Sequence, residues 1–320
     1  MSMPSSRPGP RALGAALSAT LTLGLAVAGC GGKGAEVDTA TVIGDPTAAR
    51  PSSPAAAPSA PPVAPASAST SNTPAPAASG GTAAAAPVKA EGWGTLKGRV
   101  VFEGDAPALK VIKEKGKADK DPNVCAATAD IKSERLIVDG GSKGVKNVIV
   151  YIPKPTAVNP EAKSNKSSAA VVFDQKNCVF EPHVLAAMTG VKIEIKSSDA
   201  ASHNIHSLLR NNGFNDAIAP NGASSKTPAA AERQPGLVTC DIHPWMAAYW
   251  LILDNPYFAV TDDKGNFEIK NAPAGTQKVA VWQEATGFLG GASGQDVTIA
   301  PNGETAQEYK IQTAQIKPEQ

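Results

Sequence analysis

Apolar and polar residues alternate along the chain in short runs separated by turn residues. In "VKIEIKS" (191–197), the apolar residues Val191, Ile193 and Ile195 alternate with charged ones, which is the period of a half-buried β-strand. Similar runs are "LKGRVVFEG" (96–104), "NVIVYIP" (147–153), "AAVVF" (169–173), "AAYWLILD" (247–254) and "QKVAVWQE" (277–284). Many short strands with almost no helical period predict an all-β head, a Greek-key β-sandwich with additional strands.

Three segments interrupt this pattern. "TDDKGNFEI" (261–269) predicts a hairpin whose turn lies at Asp263–Gly265. "PHVLAAMTG" (182–190) lacks alternation and predicts a short helical or irregular turn. Polar and small residues fill 210–236, so we expect a long loop there.

The first residues have the pattern of an export signal. Arg7 and Arg11 precede a small-residue apolar run (12–28), and "VAGC" (27–30) resembles a bacterial lipobox. We therefore expect a lipoprotein signal peptide at 1–29 and a lipid on Cys30, which would anchor the protein in the cell envelope, facing the periplasm or the exterior. An ordinary signal peptide or a short membrane anchor is the alternative, although the run is shorter than the about 20 apolar residues of a membrane span.

Composition separates a linker from the head. Residues 30–92 are rich in Ala, Pro and Ser and cannot bury enough apolar surface to fold, so we expect a disordered tether. The head is expected at 93–317. A net charge of +1 gives no sign of a nucleic-acid partner.

The four cysteines divide unevenly. If Cys30 carries lipid, three remain in an oxidising compartment, where cysteines usually pair. The simplest assignment is a Cys125–Cys178 disulfide, with Cys240 left as a metal thiolate. A different pairing stays open, because the sequence does not fix which cysteines meet.

Two segments carry metal-binding side chains. "VTCDIHPWM" (238–246) places Cys240, His243 and Met246 at intervals of three, and "DAASHNIH" (199–206) supplies His203 and His206 after a strand. Two imidazoles and one thiolate with a weak axial thioether form the blue-copper arrangement, whereas zinc more often takes Cys and His without Met.

These two segments resemble the copper loops of the cupredoxin family. "C-x-x-H-P-x-M" is closest to the amicyanin branch, and the His-Asn start of the other segment is similar to plastocyanins. The resemblance covers about 171–254 and implies a β-sandwich with one type 1 copper and outer-sphere electron transfer. It implies the ligand set His203, Cys240, His243 and Met246. It also implies that Asn204 braces the cysteine loop.

The residues around the expected ligands have two interpretations. Pro244 and Trp245 lie inside the cysteine loop, where they either serve packing alone or shape an apolar surface around an exposed edge of His243, through which electrons would pass. His206 is expected not to bind the metal. His183 is expected at the surface or in a hydrogen bond, with a second metal site or a redox relay as the less favoured alternative.

The segments that flank the copper loops resemble the carboxypeptidase-regulatory-like β-sandwich. They cover 93–153 and 255–312 and imply structural modules without catalysis. We expect either a cupredoxin with extra strands or two β-modules that share an interface.

We therefore expect an exported, lipid-anchored copper protein that exchanges single electrons with a partner protein, such as a cytochrome or a dehydrogenase. One alternative is copper trafficking or storage; another is a tethered module that binds carbohydrate or protein. No enzyme is expected, because the sequence lacks G-x-S-x-G, H-E-x-x-H and phosphate-loop motifs and one type 1 site leaves no second copper for a substrate.

Overall fold

The structure is a computed structural model that describes residues 91–319. The predicted signal peptide, Cys30 and almost all of the predicted linker lie outside the described residues. Within the described part of the chain, no helix is long and apolar enough to cross a membrane.

The described residues form nineteen strands, one α-helix and one short 3-10 turn. In the first half lie β1 (Trp93–Glu103), β2 (Val111–Lys113), β3 (Ile131–Lys132), β4 (Ile149–Tyr151), α1 (Pro160–Ser168), β5 (Val171–Lys176), β6 (Val179–Glu181), β7 (Val184–Met188), β8 (Ile193–Ser197) and β9 (His203–Ser207). The second half contains β10 (Phe214–Ile218), β11 (Ala223–Lys226), β12 (Gly236–Thr239), β13 (Ala247–Leu253), β14 (Phe258–Val260), β15 (Asn266–Pro273), β16 (Gly275–Gln283), β17 (Gly287–Leu289), β18 (Gln295–Ile299), β19 (Glu304–Gln312) and the turn Thr313–Gln315.

One sandwich is built from the strands near both ends of the described chain. Its outer sheet has the order β15-β1-β19, and its inner sheet has the order β14-β4-β16-β17, with β18 paired to β16. Between them lies a hydrophobic core that includes Leu96, Val100, Phe267 and Val281. Each of these side chains is at most 5% exposed, so their burial stabilises the contact between the two sheets.

The second sandwich contains the strands from β5 to β13. Its two sheets have the orders β10-β9-β12-β13-β7 and β11-β8-β5-β6. The chain crosses from one sheet to the other after β6, β7, β8, β10 and β11. The core between the two sheets includes Phe173, Ile195, Ile205 and Trp250. The predicted all-β Greek-key sandwich with additional strands is therefore confirmed.

A third hydrophobic cluster joins the two sandwiches. Ile149 and Tyr151 of β4 pack with Leu251 and Leu253 of β13, while Trp250 and Ile252, the alternate residues of β13, face the second core. Both strands are thus buried on two faces, which explains why their sequences are continuously apolar. The two sandwiches therefore contact each other along β4 and β13.

Two predicted irregular segments are strands. Residues 182–190 were expected to form a helical or irregular turn, but Val184–Met188 is strand β7, parallel to β13. Its alternation is hidden because Val184 faces the interface between the sandwiches and Leu185 faces the second core. The predicted loop at 210–236 likewise contains the strands β10 and β11. β10 pairs antiparallel with β9, and β11 pairs antiparallel with β8.

The predicted hairpin at 261–269 is wrong in its pairing. The turn exists, since the Gly265 N–H donates to the Asp262 carbonyl at 2.9 Å and Gly265 has φ +77°. However, β14 pairs with β4 and β15 pairs with β1, so the turn connects the two sheets of the first sandwich. The helix α1 was not predicted; the Asn159 side chain caps it by accepting from the Glu161 and Ala162 N–H groups.

Candidate metal centre

Strand register brings the two predicted ligand segments together. β9 and β12 are antiparallel neighbours, with His206 opposite Thr239. The start of β9 therefore lies beside the residues that follow the end of β12. His203 begins β9 and Cys240 directly follows β12, so the sheet places both side chains at the same edge.

Three of the predicted ligands converge in a buried cluster. The Cys240 Sγ lies 3.9 Å from His203 Nδ1 and 3.7 Å from His243 Nδ1. The two imidazoles are 0% exposed and Cys240 is 1% exposed. An ion about 2.3 Å from sulfur and about 2.0 Å from nitrogen in a trigonal plane requires a sulfur–nitrogen distance of about 3.7 Å. The three side chains therefore fit one metal ion.

Met246 closes the loop that begins at Cys240. Its N–H donates to the His243 carbonyl at 2.9 Å, and its carbonyl accepts from the Cys240 N–H at 3.3 Å. The side chain is 1% exposed and belongs to the same hydrophobic core as Cys240. The loop thus forms a tight turn that holds a thiol, an imidazole and a thioether within seven residues.

Asn204 holds the start of this loop. Its Oδ1 accepts from the Asp241 N–H at 2.7 Å and from the Cys240 thiol at 3.4 Å, and its Nδ2 donates to Asp241 Oδ2 at 2.9 Å. Since Asn204 stands on β9, it links the two ligand segments directly. This is the contact that the resemblance implied.

Each imidazole has a carboxylate on its far side. Asp199 Oδ2 lies 2.9 Å from His203 Nε2, and Asp121 Oδ2 lies 2.9 Å from His243 Nε2. When Nε2–H donates to a carboxylate, the tautomer is fixed and Nδ1 is left to bind a metal. Neither carboxylate was predicted as part of the site, although Asp199 lies four residues before His203 and Asp121 lies four before Cys125.

Charge in the cluster is shared between His203 and Cys240. Burial lowers the pKa of His203, but hydrogen bonds to Asp199 and Cys240 outweigh it and raise the pKa to about 9. Burial raises the pKa of the Cys240 thiol, yet the hydrogen bond to His203 and those from the loop bring it below its ordinary value. Burial and the nearby His203 charge lower the pKa of His243, against the hydrogen bond to Asp121. A metal bound here would replace the contact between Cys240 Sγ and His203 Nδ1.

The predicted exposed edge of His243 does not exist. The ring is 0% exposed because Asp121 covers Nε2 and the Trp245 ring packs edge-on, with centroids 5.2 Å apart. Pro244 is exposed and Trp245 is half-buried, so the predicted apolar surface around an open imidazole is wrong. The reason is that the segment around Asp121, which precedes the second sandwich in sequence, folds over the cysteine loop and covers the ring.

The predicted disulfide between Cys125 and Cys178 is confirmed. Both cysteines are 0% exposed, and their sulfurs lie within 4.8 Å of a His243 ring nitrogen. In the described residues, Cys240 is the free cysteine, and it is buried.

The remaining two histidines lie away from the cluster. His206 is part-exposed on β9, with Nδ1 3.0 Å from Asp241 Oδ1. His183 is 8% exposed, with Nε2 2.6 Å from Glu284 Oε2. Of the two expected placements, His183 therefore has the hydrogen-bonded one. It also lines a groove of about 670 Å³, which Trp245 lines as well.

No family model matches the chain, and no curated protein matches it. Solved structures that are similar to part of it include a copper-containing nitrite reductase from Thermus scotoductus SA-01 (15% identity, TM-score 0.25), an amicyanin variant in its Cu(I) form (19%, 0.24) and a purple cupredoxin from Nitrosopumilus maritimus (16%, 0.23). These matches cover 31%, 32% and 26% of this chain and 27%, 97% and 98% of those chains. The chain thus spans about a quarter of the length of the nitrite reductase. At TM-scores this low, the likeness adds nothing to the chemistry of the site, which stands on this chain's own residues.

Proposed function

We propose that the chain is a mononuclear type 1 copper protein that transfers single electrons. His203, Cys240, His243 and Met246 would hold the copper. The observation that carries the proposal is the convergence of one sulfur and two imidazole nitrogens at 3.9 and 3.7 Å in a buried cluster. A thiolate with two imidazoles and a thioether is the donor set of electron-transfer copper sites.

Copper in such a site supplies a one-electron couple. The protein's contribution is to hold the ligands still. Asp199 and Asp121 fix the two rings through their Nε2 atoms, and Asn204 fixes the loop that carries Cys240. Because the rings are fully buried, water does not compete for the ligand positions. Ligands held in this way change little when the charge of the site changes, which favours fast electron exchange.

Burial also supports electron transfer over copper delivery. A protein that hands copper to an acceptor must expose a ligand to it, whereas His203 and His243 are both 0% exposed. We accordingly propose a carrier that keeps its metal, without enzymatic activity of its own.

We further propose that the protein is exported and anchored by a lipid on Cys30. The Cys125–Cys178 disulfide supports the export, because disulfides persist in oxidising compartments, and the lipid rests on the sequence "VAGC" (27–30). Its redox partner would then be another protein of the cell envelope.

The decisive test is a visible and EPR spectrum of the copper-loaded protein. A copper thiolate should give an intense blue colour, and Cys240→Ser should abolish it because the sulfur is lost. Met246→Gln should keep the colour and lower the reduction potential, since a harder ligand favours Cu(II). His206→Gln is the matched control, because His206 lies outside the cluster. A colourless Cu(II) complex of the unaltered protein would refute the proposal.

A further inference from the structure

The segment Asp121–Cys125, which we call the strap, precedes the strands of the second sandwich in sequence and packs against its core through Val124 and Cys125. We propose that the strap is a positioning device for His243: Asp121 orients the imidazole, and the Cys125–Cys178 disulfide holds the strap in place. The part of this proposal that concerns copper rests on the proposed function above.

The strap reaches the ligand over a long distance in sequence. Asp121 Oδ2 contacts His243 Nε2 across 122 residues. The Asp121 carbonyl accepts from the N–H groups of Val124 and Cys125, both at 2.8 Å, so the strap is a single tight turn. Asp121 has φ +44°, a left-handed conformation that is uncommon outside glycine. Such a turn persists only where its surroundings hold it.

The disulfide links the strap to Cys178, whose backbone binds Asp199, the carboxylate partner of His203. The N–H of Cys178 donates to Asp199 Oδ2 at 2.9 Å, and the N–H of Asn177 donates to Asp199 Oδ1 at 2.6 Å. Asp199 in turn contacts His203. The disulfide thus connects the backbone of Asn177 and Cys178, which binds the Asp199 carboxylate, to the strap that carries Asp121.

Cys178 also holds the indole that packs against His243. Its carbonyl accepts from Trp245 Nε1 at 3.1 Å, and the Trp245 ring packs against His243. His243 is therefore enclosed by the strap, the disulfide and one indole. The Asp121 side chain is 46% exposed while the His243 side chain is 0% exposed, so the strap is the layer between this ligand and solvent.

A hydrogen bond to the far nitrogen of a metal-binding imidazole sets the ring's orientation, and its loss costs 10–100-fold in metal affinity. If the strap acts as one unit, removing Asp121 or the disulfide should have the same effect, because either change releases His243. Removing both should add little to either change alone.

The experiment compares copper release to a chelator from five copper-loaded full-length proteins: the unaltered chain, Asp121→Gly, Asp121→Asn, the double variant Cys125→Ser/Cys178→Ser, and its combination with Asp121→Gly. Glycine removes the carboxylate and tolerates the positive φ. The matched control is Asp119→Gly in the preceding turn, whose carboxylate pairs with Lys113 and not with His243.

Asp121→Gly and the double variant should each release copper at least about tenfold faster, and the combined variant should be no faster than the faster of the two. Asp121→Asn, which keeps an acceptor oxygen, should lie between the unaltered chain and Asp121→Gly. Asp119→Gly should match the unaltered chain. A wild-type release rate for Asp121→Gly would overturn the proposal, as would separate effects that multiply in the combined variant.

A metal-free measurement separates the strap from the copper proposal. In NMR spectra of the apo-protein, the His243 Nε2–H should be visible and slow to exchange in the unaltered chain and in Asp119→Gly, and lost in Asp121→Gly. A persistent signal in Asp121→Gly would overturn the strap whatever metal the protein binds. If the chain binds no copper, the proposed function fails while this arm still decides the role of Asp121. If the double variant does not fold, Asp121→Gly against Asp119→Gly remains the deciding comparison.

Discussion

The Asp199–His203 pair allows a quantitative prediction for the metal-free protein. Asp199→Asn removes a carboxylate that is 4% exposed and lies 2.9 Å from His203 Nε2. The pKa of His203 is about 9, against an ordinary value of 6.5, which corresponds to about 3 kcal/mol of stabilisation of its protonated form. Asp199 and Cys240 share this stabilisation, so about 3 kcal/mol is the upper limit of the charge effect that Asp199→Asn removes.

The pH dependence follows from the direction of the shift. Below pH 6.5, the ordinary pKa of the ring, His203 is protonated in the folded and the unfolded chain, and the stabilisation is fully present. As the pH rises through about 9, the folded protein loses this proton and the stabilisation disappears. Asp199→Asn should therefore cost up to about 3 kcal/mol more unfolding free energy near about pH 6 than near about pH 10. Weakening of the bonds from the Asn177 and Cys178 N–H groups adds a cost that is the same at both pH values.

Urea unfolding of the metal-free protein across this pH range measures the difference directly. His206→Gln is the matched control, since His206 forms a comparable but part-exposed pair with Asp241 and its loss should cost less than about 1 kcal/mol at every pH. A destabilisation by Asp199→Asn that is equal at both ends of the pH range would refute the charge argument.

Two further predictions test other parts of the fold. Glu284→Gln should lower the pKa of His183 in an NMR titration; burial lowers that pKa, but Glu284 and Glu134 outweigh it and hold it above the ordinary value. An unchanged pKa would contradict this explanation. Ile195→Ala, at a fully buried position of the second core, should cost about 2–5 kcal/mol of unfolding free energy, whereas Glu194→Ala next to it should cost less than about 0.5 kcal/mol. Equal losses in urea unfolding would show that Ile195 does not belong to that core.

The sequence predicts the parts of this protein that depend on short-range patterns. Ile193 and Ile195 are buried while Glu194 and Lys196 are exposed, as their alternation predicts. The cysteine loop is also local, because its potential ligands lie within seven residues. The pairing of His203 with this loop required the resemblance, since the two segments are separated by more than thirty residues.

Features that depend on long-range packing were missed. Nothing near Asp121 indicates that its carboxylate meets His243. The contacts that tie its segment to the second sandwich, such as the Cys125–Cys178 disulfide and the packing of Val124, also join residues that are distant in sequence. Strand β7 was missed because Val184 and Leu185 are buried against different cores, which removes the alternation that marks a strand. The turn at Asp262–Gly265 was found, but its flanking strands join different sheets.

Strand β1 has a mechanical consequence. It is the middle strand of its sheet, antiparallel to β15 and parallel to β19 along Thr95–Glu103, and the chain before Trp93 leads directly into it. A pull on that leading segment would act along the strand and load both rows of hydrogen bonds in shear, so they would have to break together rather than unzip one by one. Attachment through the N-terminal end would therefore let the protein withstand tension that would peel away an edge strand.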